Sequence, residues 1–164
     1  MPIPNNINNP VLKISNEHGI ILGLLSELEK AGTVFSDAEF YAHLRENVPY
    51  AAQELHRHFY YEEAAFFPAL LMCFPTEEVI RDILLIQKQH GVIEGFFFQL
   101  ENLLNSNSLV ESRIRSHFAP ELRKIIEVIK AHAALEIKRV FPLIAQNPRA
   151  AQFLEKKIAD LTMS

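Results

Sequence analysis

Four histidines and two glutamates stand in an ordered series along the chain: His18, then His58-x-x-x-Glu62, then His90, then His132-x-x-x-Glu136. Two members belong to a longer repeat. HFYYEEAAFFPAL runs from His58 to Leu70 and HAALEIKRVFPLI from His132 to Ile144, so His58/His132, Glu62/Glu136, Phe67/Phe141 and Pro68/Pro142 coincide. Residues four apart share one face of a helix, one turn along, which points His58 with Glu62 and His132 with Glu136. Glutamate is rarely buried without a partner, and an unpaired buried carboxylate is costly or loses its charge. Hydrogen-bonded His–Glu pairs would relieve part of that cost, yet four imidazoles and two carboxylates exceed simple pairing. One or two divalent cations would neutralise the carboxylates and use the imidazole lone pairs; iron, zinc, manganese and copper all suit this donor set. Two carboxylates can bridge two metals and leave two imidazoles for each, so the repeat supplies two halves of a dinuclear site.

The elements that must position these residues are helices. Apolar residues recur at helical spacing in four long segments. The first is expected from about Pro10 to Lys30, with Asn9 as its cap and Gly32 just past its end; its stripe reads Ile14, His18, Ile21, Leu25, Leu28. The second begins at a capping box, Ser36-Asp-Ala-Glu39, and continues to about Leu71, with Pro49 expected to kink or divide it. Its lower half carries Ala51, Leu55, His58, Glu62, Phe66. The third is expected from about Thr76 to Leu104, through Ile83, Ile86, His90, Ile93, Glu94 and Phe97, and the fourth from Pro120 or a little earlier to about Ile144, through Leu122, Ile125, Ile129, His132, Glu136 and Val140. Each stripe contains one histidine of the series. Asn147-Pro148 opens a short fifth helix, 147–161. The fold class expected is all-α, an up-down-up-down four-helix bundle, in a single domain over residues 1–164 with an irregular arm at 1–9 and the bundle at 10–146.

Composition narrows the classes further. A chain of 164 residues with 49% hydrophobic residues suits one domain with a sizeable core. Its net charge of -4 and the lack of a basic block exclude nucleic acid and an anionic membrane as expected partners. No 18-residue apolar run or signal-peptide pattern occurs. The one cysteine, Cys73, cannot form an internal disulfide, which fits a reducing compartment. The expected location is the cytoplasm.

The ordered set resembles the hemerythrin-like domain family, from about Val11 to Ile144. The marks are Asn16-Glu-His18, His58-Phe-Tyr-Tyr-Glu62 with Phe67-Pro68, Gln89-His90, and His132-Ala-Ala-Leu-Glu136 with Phe141-Pro142. The resemblance implies two iron ions in a non-haem di-iron centre, bridged by carboxylates and an oxo or hydroxo group. Glu62 and Glu136 would bridge; His18, His58, His90 and His132 would be terminal ligands. Two departures separate the chain from the oxygen-carrying branch: Glu94 stands where a fifth histidine is expected, and the last helix has HxxxE in place of HxxxxD. The pattern is more similar to bacterial proteins that repair damaged iron centres. Fewer imidazoles leave more exchangeable positions, favouring reactivity or iron transfer over reversible carriage.

The remaining polar and aromatic residues have plainer readings. Glu94 could be a seventh ligand, an acceptor behind a ligand, or a boundary charge. Glu54 could face the site's approach or water. Glu63 is expected to face solvent and His56 to be exposed, while His43 and His117 lie outside the set. Tyr61 could donate to a bound oxygen species or pack in the core, and Cys73 is read as a small hydrophobe. Phe96-Phe97-Phe98 wraps much of a helix, which suggests packing by the fifth helix or a homodimer contact. Two functions follow: an iron-handling protein that meets oxygen, nitric oxide or peroxide in repair or stress defence, or an oxygen store or sensor acting through a partner protein. A bundle with buried His–Glu pairs and no metal is the third reading. Ligand types alone do not decide whether the chain turns over a substrate.

Overall fold

A computed structural model describes residues 10–106 and 111–163. The expected arm at 1–9 and the Asn9 cap lie outside them. Seven α-helices follow in order: α1 (Pro10–Val34), α2 (Asp37–Tyr61), α3 (Phe67–Cys73), α4 (Glu77–Asn105), α5 (Glu111–Leu135), α6 (Phe141–Ala145) and α7 (Pro148–Thr162). Two wide π turns, Glu62–Phe66 and Glu136–Val140, join α2 to α3 and α5 to α6. The second and fourth rods of the bundle are therefore composite. α1 packs on α2 and α5, α4 packs on the same two, and α2 also meets α5 across the diagonal. This is the expected up-down-up-down bundle with a short C-terminal helix.

Helix starts follow the local chemistry. Ser36 and Glu39 form the capping box: the Glu39 amide donates to Ser36 Oγ and the Ser36 amide donates to Glu39 Oε2. Thr76 Oγ1 accepts the Val79 amide at the start of α4, and Asn147 Oδ1 accepts two amides at the start of α7. Two expected boundaries shift. Gly32 lies inside the last turn of α1, not beyond it. Pro49 neither divides nor ends α2, which runs unbroken past it. Both Pro49 and Arg45, whose carbonyl loses its helical partner, lie on the exposed side, where water can satisfy that oxygen. α5 likewise begins before Pro120 and carries it inside.

The ladder slips instead at the Phe-Pro steps. Proline lacks the amide that would continue the i→i−4 pattern, and its ring clashes with the carbonyl four residues back. At Pro68 and Pro142 the preceding residue absorbs this. The Phe67 amide donates to the Glu62 carbonyl, and the Phe141 amide to the Glu136 carbonyl, each spanning five residues. Both π turns begin at a repeated glutamate, and such turns cluster at functional positions.

The core comes in two apolar clusters. One gathers Ile21, Leu25, Leu55, Phe59, Ile93 and Ile129 with their neighbours; the other gathers Ile14, Phe66, Phe67, Ile86, Val140 and Phe141, together with Ala150 and Leu154 of α7. Along every long rod the histidine of the series falls at the step between them. The Phe96–Phe98 run is not covered by α7. Phe97 is buried and Phe96 stacks on Phe118 in the cluster away from α7, while Phe98 is 66% exposed. Three adjacent helical positions point in three directions, so only part of the run can face the core.

Arg115 of α5 holds the α1–α2 connection. Its guanidinium donates to Asp37 Oδ1 at 2.9 Å, to the Gly32 carbonyl at 2.8 Å and to the Phe35 carbonyl, and lies over the Phe40 ring. The Gly32 carbonyl is one that the end of α1 leaves without a helical partner, and that of Phe35 lies in the connection just beyond it. Replacing Arg115 with Ala should lower the unfolding free energy by about 2 kcal/mol. Replacing Arg123, whose pair with Glu29 is exposed, should cost less than about 1 kcal/mol. Equal losses in denaturant melts would contradict the clamp.

Candidate metal centre

Five side chains, those of His18, His58, Glu62, His132 and Glu136, bring ligand-type atoms within 4.8 Å of one another. His90 joins them through Glu62, with Nε2 3.1 Å from Oε2. All six are buried, and both glutamates are 0% exposed. The bundle thus collects the whole series read from sequence into one polar layer between the two apolar clusters.

Glu62 lies at the middle of this layer. Its Oε1 is 3.0 Å from His58 Nε2 and 3.8 Å from His18 Nε2. Its Oε2 is 3.1 Å from His90 Nε2 and 3.8 Å from His132 Nε2. One carboxylate therefore presents one oxygen to each pair of imidazoles. Glu136 joins the same two halves from the other side, with Oε2 2.9 Å from His18 Nε2 and 3.5 Å from His132 Nε2.

Proximity here is not pairing. The four inward Nε2 atoms and all four carboxylate oxygens are buried without a hydrogen bond. For two imidazoles the reason lies in what the outer nitrogen bonds. His58 Nδ1 donates to Glu17 Oε2 at 2.9 Å, and His90 Nδ1 donates to Glu63 Oε1 at 2.7 Å. A neutral imidazole carries one N–H, so in either ring, whenever it is neutral, the inward Nε2 bears a lone pair facing a carboxylate oxygen. Such a contact is repulsive unless a cation stands between the two atoms. Orphaned buried donors of nitrogen and oxygen type, arranged in two halves, fit a pair of metal ions bound by imidazole and carboxylate.

Protonation expresses the same strain in the metal-free protein. Burial lowers the His18 imidazole to about 4, with the charge on His58 acting in the same direction. Burial likewise lowers His132 to about 3, despite the attraction of Glu62. At His58 burial also works against the charge, but Glu62 and the Glu17 hydrogen bond outweigh it and raise the ring to about 9. Burial opposes ionisation of Glu62, yet the surrounding imidazoles hold it below the usual carboxylate range. Glu136 goes the other way, pushed well up by burial and then by the charge of Glu62. Without metal, burial thus favours the neutral form at His18, His132 and Glu136, while His58 and Glu62 keep opposite charges.

The repeated Phe-Pro steps build the walls. Phe67 stacks on His90 at 6.0 Å between centroids, and Phe59 stacks on the same ring at 3.9 Å. Phe141 stacks on His18 at 5.9 Å. Each repeated phenylalanine therefore covers an imidazole from a different helix. Buried Asp82 of α4 forms an ion pair with Arg139 Nε at 3.0 Å and ties down the π turn that starts at Glu136.

The other candidates are resolved by position. Glu94 points outward and pairs with exposed His56 at 3.0 Å, so it takes no part in the layer. Glu54 pairs with Arg57. His117 is exposed and half-buried His43 bonds to Asn47. Tyr61 is half-buried beneath Lys13, and Cys73 packs against the second cluster. Glu63 is exposed, as expected, its side chain 44% so, and its carboxylate also holds His90, a role the sequence did not suggest. Glu17, adjacent to His18, had no expected role and holds His58.

The model of the hemerythrin HHE cation binding domain matches residues 9–144, and the chain belongs to that family. No curated protein and no solved structure matches it. Among the described residues no helix is long and apolar enough to cross a membrane.

A group held for binding rather than for folding leaves a signature in stability. With metal removed by chelation, Glu136→Leu should melt at or above the parent, by up to about 3 kcal/mol, because it replaces a buried carboxyl with apolar volume. Added metal should then no longer raise its melting temperature as it does for the parent. A chelated variant that melts well below the chelated parent would contradict this.

Proposed function

We propose that the chain is a non-haem di-iron protein that handles oxygen, nitric oxide or peroxide, in iron-centre repair or in defence against oxidative or nitrosative stress. The observation that carries the reading is Glu62, whose two oxygens each face a separate pair of imidazoles. His18 and His58 would hold one iron, His90 and His132 the other, with Glu62 and Glu136 shared. Bound iron would supply one-electron redox steps and exchangeable positions for a small ligand. Family membership, rather than the ligand types, is what supports reading the metal as iron instead of manganese or zinc.

The surrounding residues define what can reach such a site. The ligands are nearly inaccessible, and Phe59, Phe67 and Phe141 face two of the imidazoles. Apolar walls at this depth exclude bulk water and favour small, weakly hydrated ligands. The outward turn of Glu94 leaves the donor set at six, with no additional imidazole on the third long rod. That favours chemistry at open positions over an oxygen store or a sensor acting through a partner.

Protein loaded with ferrous iron under anaerobic conditions should retain two irons per chain. Glu62→Ala and Glu136→Ala should each retain far less, and His56→Ala should match the parent. Equal iron in all three variants would contradict the assignment. On exposure to oxygen the loaded parent should consume it without returning it under vacuum; reversible uptake would favour the store or sensor.

A further inference from the structure

We propose that Glu17 and Glu63 are positioning residues, one for each half of the metal centre, that fix the ring orientation of His58 and His90 and so set the affinity of the two metal-binding steps separately. This rests on the six-residue layer binding two ions.

The two contacts are equivalent in chemistry and independent in origin. Glu17, on α1, reaches across to His58 on α2; Glu63, in the first π turn, reaches across to His90 on α4. Each acts on the outer nitrogen of a ring whose inner nitrogen approaches Glu62 within about 3 Å, at 3.0 and 3.1 Å respectively. The other imidazole of each half, His18 or His132, has a buried Nδ1 that meets no acceptor. Each half therefore contains one ring held by a carboxylate and one held by packing. A carboxylate accepting the Nδ1 proton keeps the lone pair on Nε2 and raises its basicity toward a cation.

The two carboxylates differ in setting. The Glu17 side chain is 13% exposed and that of Glu63 is 44% exposed. Water screens an exposed charge more strongly, so the half that contains His90 is the more weakly supported and is the one expected to release its ion first.

The test uses the full chain, stripped by chelation and titrated anaerobically with ferrous iron against a competing chelator. Circular dichroism checks that each variant is folded. Glu17→Ala and Glu63→Ala should each weaken one of the two binding steps by about 10- to 100-fold and leave the other near the parent value. Glu17→Gln and Glu63→Gln, whose amide oxygen still accepts the proton, should recover much of the loss. Glu54→Ala, on the same surface as Glu17 but paired with Arg57, should bind as the parent does. In the zinc-loaded protein, Glu17→Ala should remove the hydrogen-bonded ring N–H signal of His58 alone, and Glu63→Ala that of His90 alone. Parent-like binding by both Ala variants, or an equal loss in Glu54→Ala, would overturn the proposal while leaving the metal centre intact. A parent chain that binds no iron would overturn both.

Discussion

Two carboxylates with no access to water lie among four imidazoles whose nitrogens face them without hydrogen bonds. In an apolar bundle this is the largest local departure from good packing, because each unsatisfied buried polar group is costly and each buried charge more so. The metal-free protein lessens the cost by holding Glu136 neutral and placing an imidazolium at His58. Cations between the nitrogens and the oxygens would remove the remainder. The core is organised around that need, with an apolar cluster above the layer and another below it.

The two repeated segments show how one short pattern performs several tasks. Histidine and glutamate four apart supply adjacent ligand-type side chains from one helix face. Proline, ten residues after the histidine, removes a ladder amide, and the helix widens into a π turn beginning at the glutamate. The phenylalanine before it swings onto an imidazole of another rod, His90 for Phe67 and His18 for Phe141. Ligand-type side chains, backbone register and hydrophobic cover are thus encoded together in each copy of the pattern.

Helical spacing made the four long rods, their order and the six inward residues legible, because burial and periodicity point the same way at each of them. What it missed lies in relations between rods. Glu17 and Glu63 look like ordinary flanking acids, since their partners are on neighbouring helices and the relative rotation of two rods is set by packing. Apolar periodicity cannot distinguish an α turn from a π turn over five residues, so the Phe-Pro steps were visible as a repeat but not as a change of backbone. Pro49 misled for the opposite reason. A proline is a strong local breaker, but a helix buried along its other face tolerates one that turns toward water.

The family places cation binding on this chain, and the geometry sets Glu62 and Glu136 among two pairs of imidazoles, the arrangement on which our proposal of two shared ions rests. The most direct measurement is anomalous diffraction at the iron edge from crystals grown with ferrous iron under anaerobic conditions. The account predicts two peaks inside the bundle, one beside His18 and His58 and one beside His90 and His132, with Glu62 in contact with both. A single peak, or iron bound only at the surface while the six side chains keep one another company, would contradict it.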